Sequence, residues 1–245
     1  MAVKGITITV LLDNEVFLPG LMADWGLSLY LEVREGPRVL MDTGGSFTKL
    51  IRNAEALGVD LTTLDAIFIS HWHGDHCGAL PELLSFLGRP IEVLVPRRPG
   101  WTMAKRLARA GAKLVEAPRP LEFSPGLRST GDMGGEHSLV IDVGGLGLLI
   151  LTGCSHPGPK AVVQRAVEVL GRPAYGLMGG LHISSYHEGL ELGAFLTRAG
   201  VQFLCPCHCT GSMAKRGLQE AFGGQLIRCG VGKRILLDRG GLKSP

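Results

Sequence analysis

Runs of apolar residues, some alternating with polar ones and some continuous, divide the chain into short strands and intervening helices. Residues 5–12 read as a strand, and 27–33 with 38–41 read as a hairpin across Arg34-Glu35-Gly36-Pro37, where glycine and proline stop both strands. Helical spacing follows over 46–57 with Ser46 as N-cap, then a β-branched apolar run over 64–69, then a second helical stretch over 76–87 with Pro81 in its early turns. A strand over 91–95 and a helix over 102–110 come next. Residues 117–135 have no clear period and carry Pro118, Pro120, Pro125 and Gly126, so they read as loop or edge structure near a site. Strands resume over 138–143 and 146–151 around a Gly144-Gly145 turn, and a helix covers 159–170. Strands over 174–178 and 201–206 are each followed by a helix. Strands alternating with helices predict an α/β protein, and no Pro/Ser-rich linker or charge block interrupts it, so 1–245 reads as a single domain.

Composition narrows the picture. With 45% hydrophobic and 19% charged residues the chain can bury a sizeable core. A net charge of +3 without a Lys/Arg run implies neither nucleic acid nor an anionic membrane, and is compatible with a small anionic substrate; it leaves the oligomeric state open. Residues 1–10 lack the basic start and apolar h-region of a signal peptide, and no apolar run approaches the ~18 residues of a membrane span, so a cytoplasmic location is expected. Six cysteines, three of them at alternate positions 205, 207 and 209, do not look like a disulfide framework and are expected to be reduced. Only two asparagines and four glutamines occur, a mark of thermophile proteins that a GC-rich genome also leaves.

The chemistry concentrates in Ser70-His71-Trp72-His73-Gly74-Asp75-His76, directly behind the apolar run. His71 and His73 are two apart, so in extended chain they lean to one side and can bind one ion at about 2.0–2.1 Å. Gly74 lets the chain turn, which aims Asp75 and His76 toward a second ion roughly 3.5–4 Å away. A solvated, histidine-rich turn is the plain alternative, and four ligand types packed at a strand end argue against it. The same order of strand, ligand-bearing loop and helix recurs at Thr152-Gly153-Cys154-Ser155-His156, at Gly179-Gly180-Leu181-His182 and at Cys207-His208-Cys209-Thr210-Gly211. Every strong candidate therefore lies past the C-terminal end of a strand, the edge where sites form in sheets packed by helices.

The spacing H-x-H-x-D-H after an apolar strand resembles the signature of the metallo-β-lactamase superfamily, most of whose members are metal-dependent hydrolases. Leu12-Asp13-Asn14, Gly26-Leu27-Ser28, Met41-Asp42-Thr43-Gly44 and the three later loops together resemble the branch named for 7,8-dihydropterin-6-yl-methyl-4-(β-D-ribofuranosyl)aminobenzene 5′-phosphate synthase. The resemblance runs from near residue 12 to near residue 232 and implies an αββα sandwich, two mixed sheets face to face with helices outside. It places Asp42, which otherwise caps its turn, as a carboxylate orienting a metal-bound histidine. Superfamily register would make His137 the third ligand of the first metal and put Cys154 in the place of a bridging aspartate. The branch instead points to His156, which lies past a strand end like the other ligands and is preferred. His208 matches the superfamily's final histidine, while Cys207 and Cys209, sharing the opposite strand face, read as core. His182 reads either as core or as a neutral imidazole at the mouth, contacting substrate or protonating the leaving oxygen. His187, beside Glu188, reads as surface, and Arg97-Arg98 as a solvated loop or a hold on substrate phosphate. A histidine often precedes Gly-Leu-Ser in the branch; Trp25 stands here, which points to a different substrate if that histidine meets it.

The function expected is that of a hydrolase working through a metal-bound hydroxide on a small phosphorylated or cyclic-phosphate-like molecule. His71, His73 and His156 would hold one ion and Asp75, His76 and His208 a second; Asp75 and His182 are the catalytic candidates. One or two zinc ions fit the set, with manganese or iron as alternatives. The phosphate preference rests on the branch name and on glycine-rich turns before helices, at Gly44-Gly45 and Gly158. The alternatives are a hydrolase of esters, thioesters or lactams and a di-iron redox or oxygen-binding protein on the same fold.

Overall fold

Whether an apolar run alternates with polar residues or is continuous depends on how many of its faces are covered, and here the continuous runs predominate. The computed structural model describes residues 1–243. Its first half comprises β1 (Gly5–Leu12), β2 (Ser28–Val33), β3 (Arg38–Met41), α1 (Phe47–Ala56), β4 (Ala66–Phe68), α2 (Gly74–Cys77), α3 (Leu80–Leu87), β5 (Ile91–Val95), α4 (Trp101–Arg109) and β6 (Ala112–Glu116). The second half runs through β7 (Leu121–Ser124), β8 (Leu127–Ser129), β9 (Leu139–Val143), β10 (Gly147–Thr152), α5 (Pro159–Leu170), β11 (Ala174–Gly180), α6 (Tyr186–Arg198), β12 (Phe203–Cys207), α7 (Ser212–Ala221), β13 (Gln225–Leu226), β14 (Arg234–Asp238) and β15 (Gly241–Lys243).

These strands form an eight-stranded sheet in the order β15-β14-β1-β2-β3-β4-β5-β6 and a seven-stranded sheet in the order β13-β12-β11-β10-β9-β8-β7. The sheets pack face to face through Ile8, Leu31 and Phe68 on one side and Ile141, Leu149, Met178 and Phe203 on the other. On the outer faces α1 and α3 cover Leu40 and Ile67, while α5, α6 and α7 cover Leu148, Ile150 and Leu204. In β10, Leu149 and Leu151 therefore point into the sandwich and Leu148 and Ile150 point under the helices, which is why the run has no polar residue to alternate. The result is the α/β class and αββα sandwich expected; residues 244–245 of the expected domain lie outside the described residues. Among the described residues no helix is long and apolar enough to cross a membrane.

Several stretches differ from the sequence reading or refine it. The helix expected over 76–87 is two, α2 and α3, with Pro81 in the first turn of α3: the ring has no N–H to give to a continuous helix. The stretch 117–135, read as loop or edge, contains the hairpin of β7 and β8, which lies at the rim of its sheet. Strands β6, β13, β14 and β15 have no counterpart in the sequence reading. Arg234–Asp238 is a short apolar run with charges at both ends and becomes a strand through antiparallel pairing with β1, as at Ile8 and Ile235.

The topology places one edge of each sheet at the site. Strands β3 and β4 are parallel neighbours in one sheet, and β10, β11 and β12 are parallel neighbours in the other. The loops after all five strands carry Asp42, the His71 to His76 run, Cys154 with His156, His182, and His208.

Candidate metal centre

Each imidazole in this cluster is held by its Nδ1 or its neighbour, and the partner decides where the ring proton sits. Asp42 Oδ2 lies 2.7 Å from His76 Nδ1, and a carboxylate only accepts, so His76 Nδ1 donates and Nε2 is left with its lone pair. Glu136 Oε2 lies 2.7 Å from His156 Nδ1, with the same consequence. Ser70 Oγ donates to Asp42 Oδ2 at 2.7 Å and so accepts from His71 Nδ1 at 2.9 Å. Asn14 turns its Nδ2 to the His208 carbonyl, at 3.0 Å, which leaves Oδ1 to accept from His208 Nδ1, also at 3.0 Å.

Four Nε2 atoms therefore carry the lone pair in the neutral rings, and those of His76 and His208 meet other acceptors. His76 Nε2 and His208 Nε2 are 3.1 Å apart, His208 Nε2 is 3.2 Å from Asp75 Oδ2, and His71 Nε2 is 3.1 Å from His73 Nδ1. The His76, His208 and Asp75 lone pairs repel one another at such distances unless a proton or a metal ion lies between them, whereas His73 Nδ1 can donate to His71 Nε2. The spacing also matches the edge of a coordination tetrahedron, about 3.3 Å when ligand nitrogens lie about 2.0–2.1 Å from an ion. Burial pushes His71 down to about 2 and His208 down to about 4, which favours the neutral, ligating forms. His76 differs: burial opposes its charged form, yet the charge and hydrogen bond of Asp42 outweigh this and raise its pKa. A proton and a divalent ion thus compete for its Nε2.

Two ligand triads result, His71 with Cys154 and His156, and His76 with Cys154 and His208. Cys154 is common to both. Its Sγ is 3.2 Å from His76 Nε2, so the thiol faces the imidazoles instead of packing solely as core. Asp75, half-buried, closes the second group, and His73, exposed at the start of α2, closes the first. His182 is exposed and stacks obliquely on His156 with ring centroids 4.8 Å apart, which places it at the mouth. Trp25 is exposed at the same rim, its ring centroid 5.4 Å from that of His208. His187 is at the surface against Glu191.

His137 is positioned quite differently. It is fully buried, its Nδ1 is 2.7 Å from Ser129 Oγ and its Nε2 is 2.9 Å from the Ile69 carbonyl, and its ring stacks on Phe68 at 4.0 Å. Neither nitrogen is open to an ion. We predict that His137→Ala lowers the melting temperature, at a cost of about 2–4 kcal/mol from the cavity and unpaired groups, while zinc content by elemental analysis stays at the wild-type level.

One reading of the last loop is corrected. Cys207 is buried in the core as expected, but Cys209 is half-buried and forms a third group with Cys154 and His182. Strand alternation fails there because β12 ends at Cys207 and His208 takes φ 49°, a left-handed turn that redirects the chain before Cys209. Asp42, Ser155 and His182 share this unusual backbone, at φ 59°, 60° and 49°. Left-handed non-glycine residues collect where surrounding structure enforces them, commonly at functional sites.

Glu136, Asp13 and Asn14 have no chemical role that the sequence alone assigns. Glu136 is the most connected: Oε1 accepts from the backbone N–H of Cys154 and Ser155, and Oε2 from that of His156 as well as from its ring. Asp13 Oδ1 accepts from the His208 backbone N–H at 2.8 Å. The available signals are the place of Glu136 at the end of an aperiodic stretch beside the site and the rarity of asparagine. Gly153 is required by close approach, since a Cβ there would lie 2.1 Å from Ser70 Oγ.

A cavity of about 340 Å³ opens onto the first group, lined by His71, Trp72, His73, Arg97, Gly135 and His156 among others. A larger one of about 410 Å³, lined by Lys215, Arg216 and Arg228, holds none of the candidate ligands.

The family model described as the metallo-beta-lactamase superfamily matches residues 25–158. The 7,8-dihydropterin-6-methyl-4-(beta-D-ribofuranosyl)-aminobenzene-5′-phosphate synthase of Methanocaldococcus jannaschii is 24% identical over 261 aligned positions, spanning 86% of this chain and 89% of that protein. Among solved structures, Tm1679, described as a metal-dependent hydrolase of the beta-lactamase superfamily, aligns with a TM-score of 0.77 at 25% identity, over 94% of this chain and 98% of that one. The short form of human tRNase Z aligns with a TM-score of 0.59 at 16% identity, over 94% and 98% of the two chains, a likeness of fold alone.

Proposed function

This chain belongs to the metallo-beta-lactamase superfamily, and from that premise we propose that it is a metal-dependent hydrolase of a small anionic ester, with phosphate esters as the preferred class. The observation that carries the reading is the convergence of the His76 and His208 lone pairs and the Asp75 carboxylate, whose repulsion a cation relieves. His71, His73 and His156 would hold one divalent ion, and Asp75, His76 and His208 the other, with Cys154 between them. When bound, such ions lower the pKa of a water to about 7 and polarise the scissile oxygen.

The chain's own groups supply the rest. Asp42, Glu136 and Asn14 keep the ring protons on Nδ1 of His76, His156 and His208, so that each Nε2 stays available. Asp75 Oδ2, 3.2 Å from His208 Nε2, would complete the donor set of the second ion. His182, exposed beside His156, is placed to give a proton to the departing oxygen. The phosphate preference draws on the relative named as a 5′-phosphate synthase.

The test uses protein stripped by chelator and reloaded with zinc or manganese, assayed on bis(p-nitrophenyl) phosphate and on a thioester reporter side by side. Turnover of the diester that disappears on stripping and returns on reloading is expected. His73→Ala is expected to lose metal and at least about 100-fold in turnover, with little change in melting temperature because His73 is exposed. Activity that persists without metal would remove the hydrolase reading, and faster thioester turnover would remove the phosphate preference.

A further inference from the structure

The paired arginines after β5 have separate fates. Arg98 Nε lies 3.1 Å from Glu116, on the outer surface. Arg97 instead lines the cavity that contains His71, His73 and His156. Its backbone is fixed there, because Trp72, inside the ligand run, donates from Nε1 to the Arg97 carbonyl at 2.8 Å. The guanidinium packs over Gly135, where a Cβ would lie 2.1 Å from Nη2 and push the side chain aside. Its acidic contact among the described residues is Asp132, a single approach of Nε at 3.8 Å, and the side chain is 57% exposed. No Lys is present in the cavity wall, and its carboxylate, Glu136, is buried and occupied by Cys154, Ser155 and His156. A planar, permanently charged donor fork thus lines the cavity shared with the candidate ligands, its Nη groups without a hydrogen bond or ion pair among the described residues, the arrangement that recognises a carboxylate or phosphate in bidentate fashion.

We propose that Arg97 is a specificity-determining residue that binds a second anionic group of the substrate, a carboxylate or phosphate set apart from the one at the metals. The proposal rests on the metal-hydrolase reading for the first anchoring point. The metals would take the ester being cleaved, Arg97 the distal anion, and Trp72 would hold the two at a fixed separation through its bond to the Arg97 carbonyl. The substrate class is then a small dianionic or polyanionic ester, short enough for a cavity of about 340 Å³.

The test measures binding, so that it does not depend on turnover. Zinc-loaded wild-type protein, Arg97→Gln and Arg97→Lys are titrated calorimetrically with propyl phosphate and with 2-carboxyethyl phosphate, which differ in the distal carboxylate. Wild type should bind the carboxyethyl compound roughly 10- to 100-fold more tightly than the propyl compound, as one charge-assisted pair allows. Arg97→Gln should erase that preference, and Arg97→Lys, a point charge without the fork, should restore part of it. Zinc content should be equal in all three proteins. Equal affinities in wild type, a preference that survives Arg97→Gln, equal loss for both ligands, or no binding of either would each overturn the proposal. Failure of the hydrolase reading shows separately, as absence of metal-dependent diester turnover.

Discussion

Glu136→Gln is expected to strip the first metal group of about 10- to 100-fold in zinc affinity and to lower diester turnover by at least as much. The reason is donor and acceptor count. Glu136 Oε1 accepts from the N–H groups of Cys154 and Ser155 at 2.8 Å each, and Oε2 from the His156 N–H at 2.8 Å and from His156 Nδ1 at 2.7 Å. A glutamine amide must turn its NH2 toward one of these two sets, so in either orientation two donors lose their acceptor and face a third. At about 1–3 kcal/mol for each buried donor left unpaired, the loop from Cys154 to His156 is destabilised by about 2–6 kcal/mol, and His156 is free to move its proton to Nε2, where it cannot ligate. Glu136→Asp keeps the charge but shortens the reach, and should fall between wild type and the glutamine variant. Zinc stoichiometry by competitive titration, read beside a thermal melt, checks this. A Glu136→Gln protein with wild-type zinc affinity would show that His156 is oriented by something other than this carboxylate.

Legibility in the sequence divides along physical lines. His71, His73, Asp75 and His76 are legible because local chain geometry alone brings them together, four ligand types directly behind a strand. The α/β class is legible because β10 and its neighbours are buried on both faces and read as unbroken apolar runs. Resemblance assigns Asp42 its orienting role, and its contacts with Ser70 and His76 give that role a geometry. Glu136 is not legible, since its partners lie 16 to 20 positions away and a lone carboxylate in an aperiodic stretch looks like any solvated loop residue. Cys209 is misplaced by pattern for a related reason: strand alternation predicts a face only while the strand continues, and the left-handed His208 ends it one residue earlier. Short strands such as β14 escape the pattern because their identity is conferred by a partner, here β1, more than two hundred residues away in the chain.

Cys154→Ser is expected to release the second metal, and to do so because the thiol lies between the two ligand groups. Its Sγ belongs to the triad with His71 and His156 and to the triad with His76 and His208, and is 3.2 Å from His76 Nε2. Without metal, the hydrogen bond with Cys209 and then burial push the Cys154 thiol pKa up, so the proton stays on sulfur. A divalent cation reverses that balance, since a coordinating thiol is deprotonated outright, and the thiolate then supplies negative charge between two cations otherwise served by neutral imidazoles and the single carboxylate of Asp75. A serine hydroxyl occupies similar space but stays protonated near neutral pH and gives no such charge. Removal of an outer partner already costs about 10- to 100-fold in metal affinity, so loss of a ligand should cost at least the upper end of that range, and should fall on the second ion because Asp75, His76 and His208 have fewer imidazoles to retain it. Cys154→Asp restores an anion able to reach both ions and should recover two-metal stoichiometry if the loop accommodates the carboxylate. Cobalt-loaded wild type should show a sulfur-to-metal absorption band that both variants lack. Two equally tight sites in Cys154→Ser, with the cobalt spectrum unchanged, would mean that the sulfur is a bystander and that another group joins the two halves of the centre.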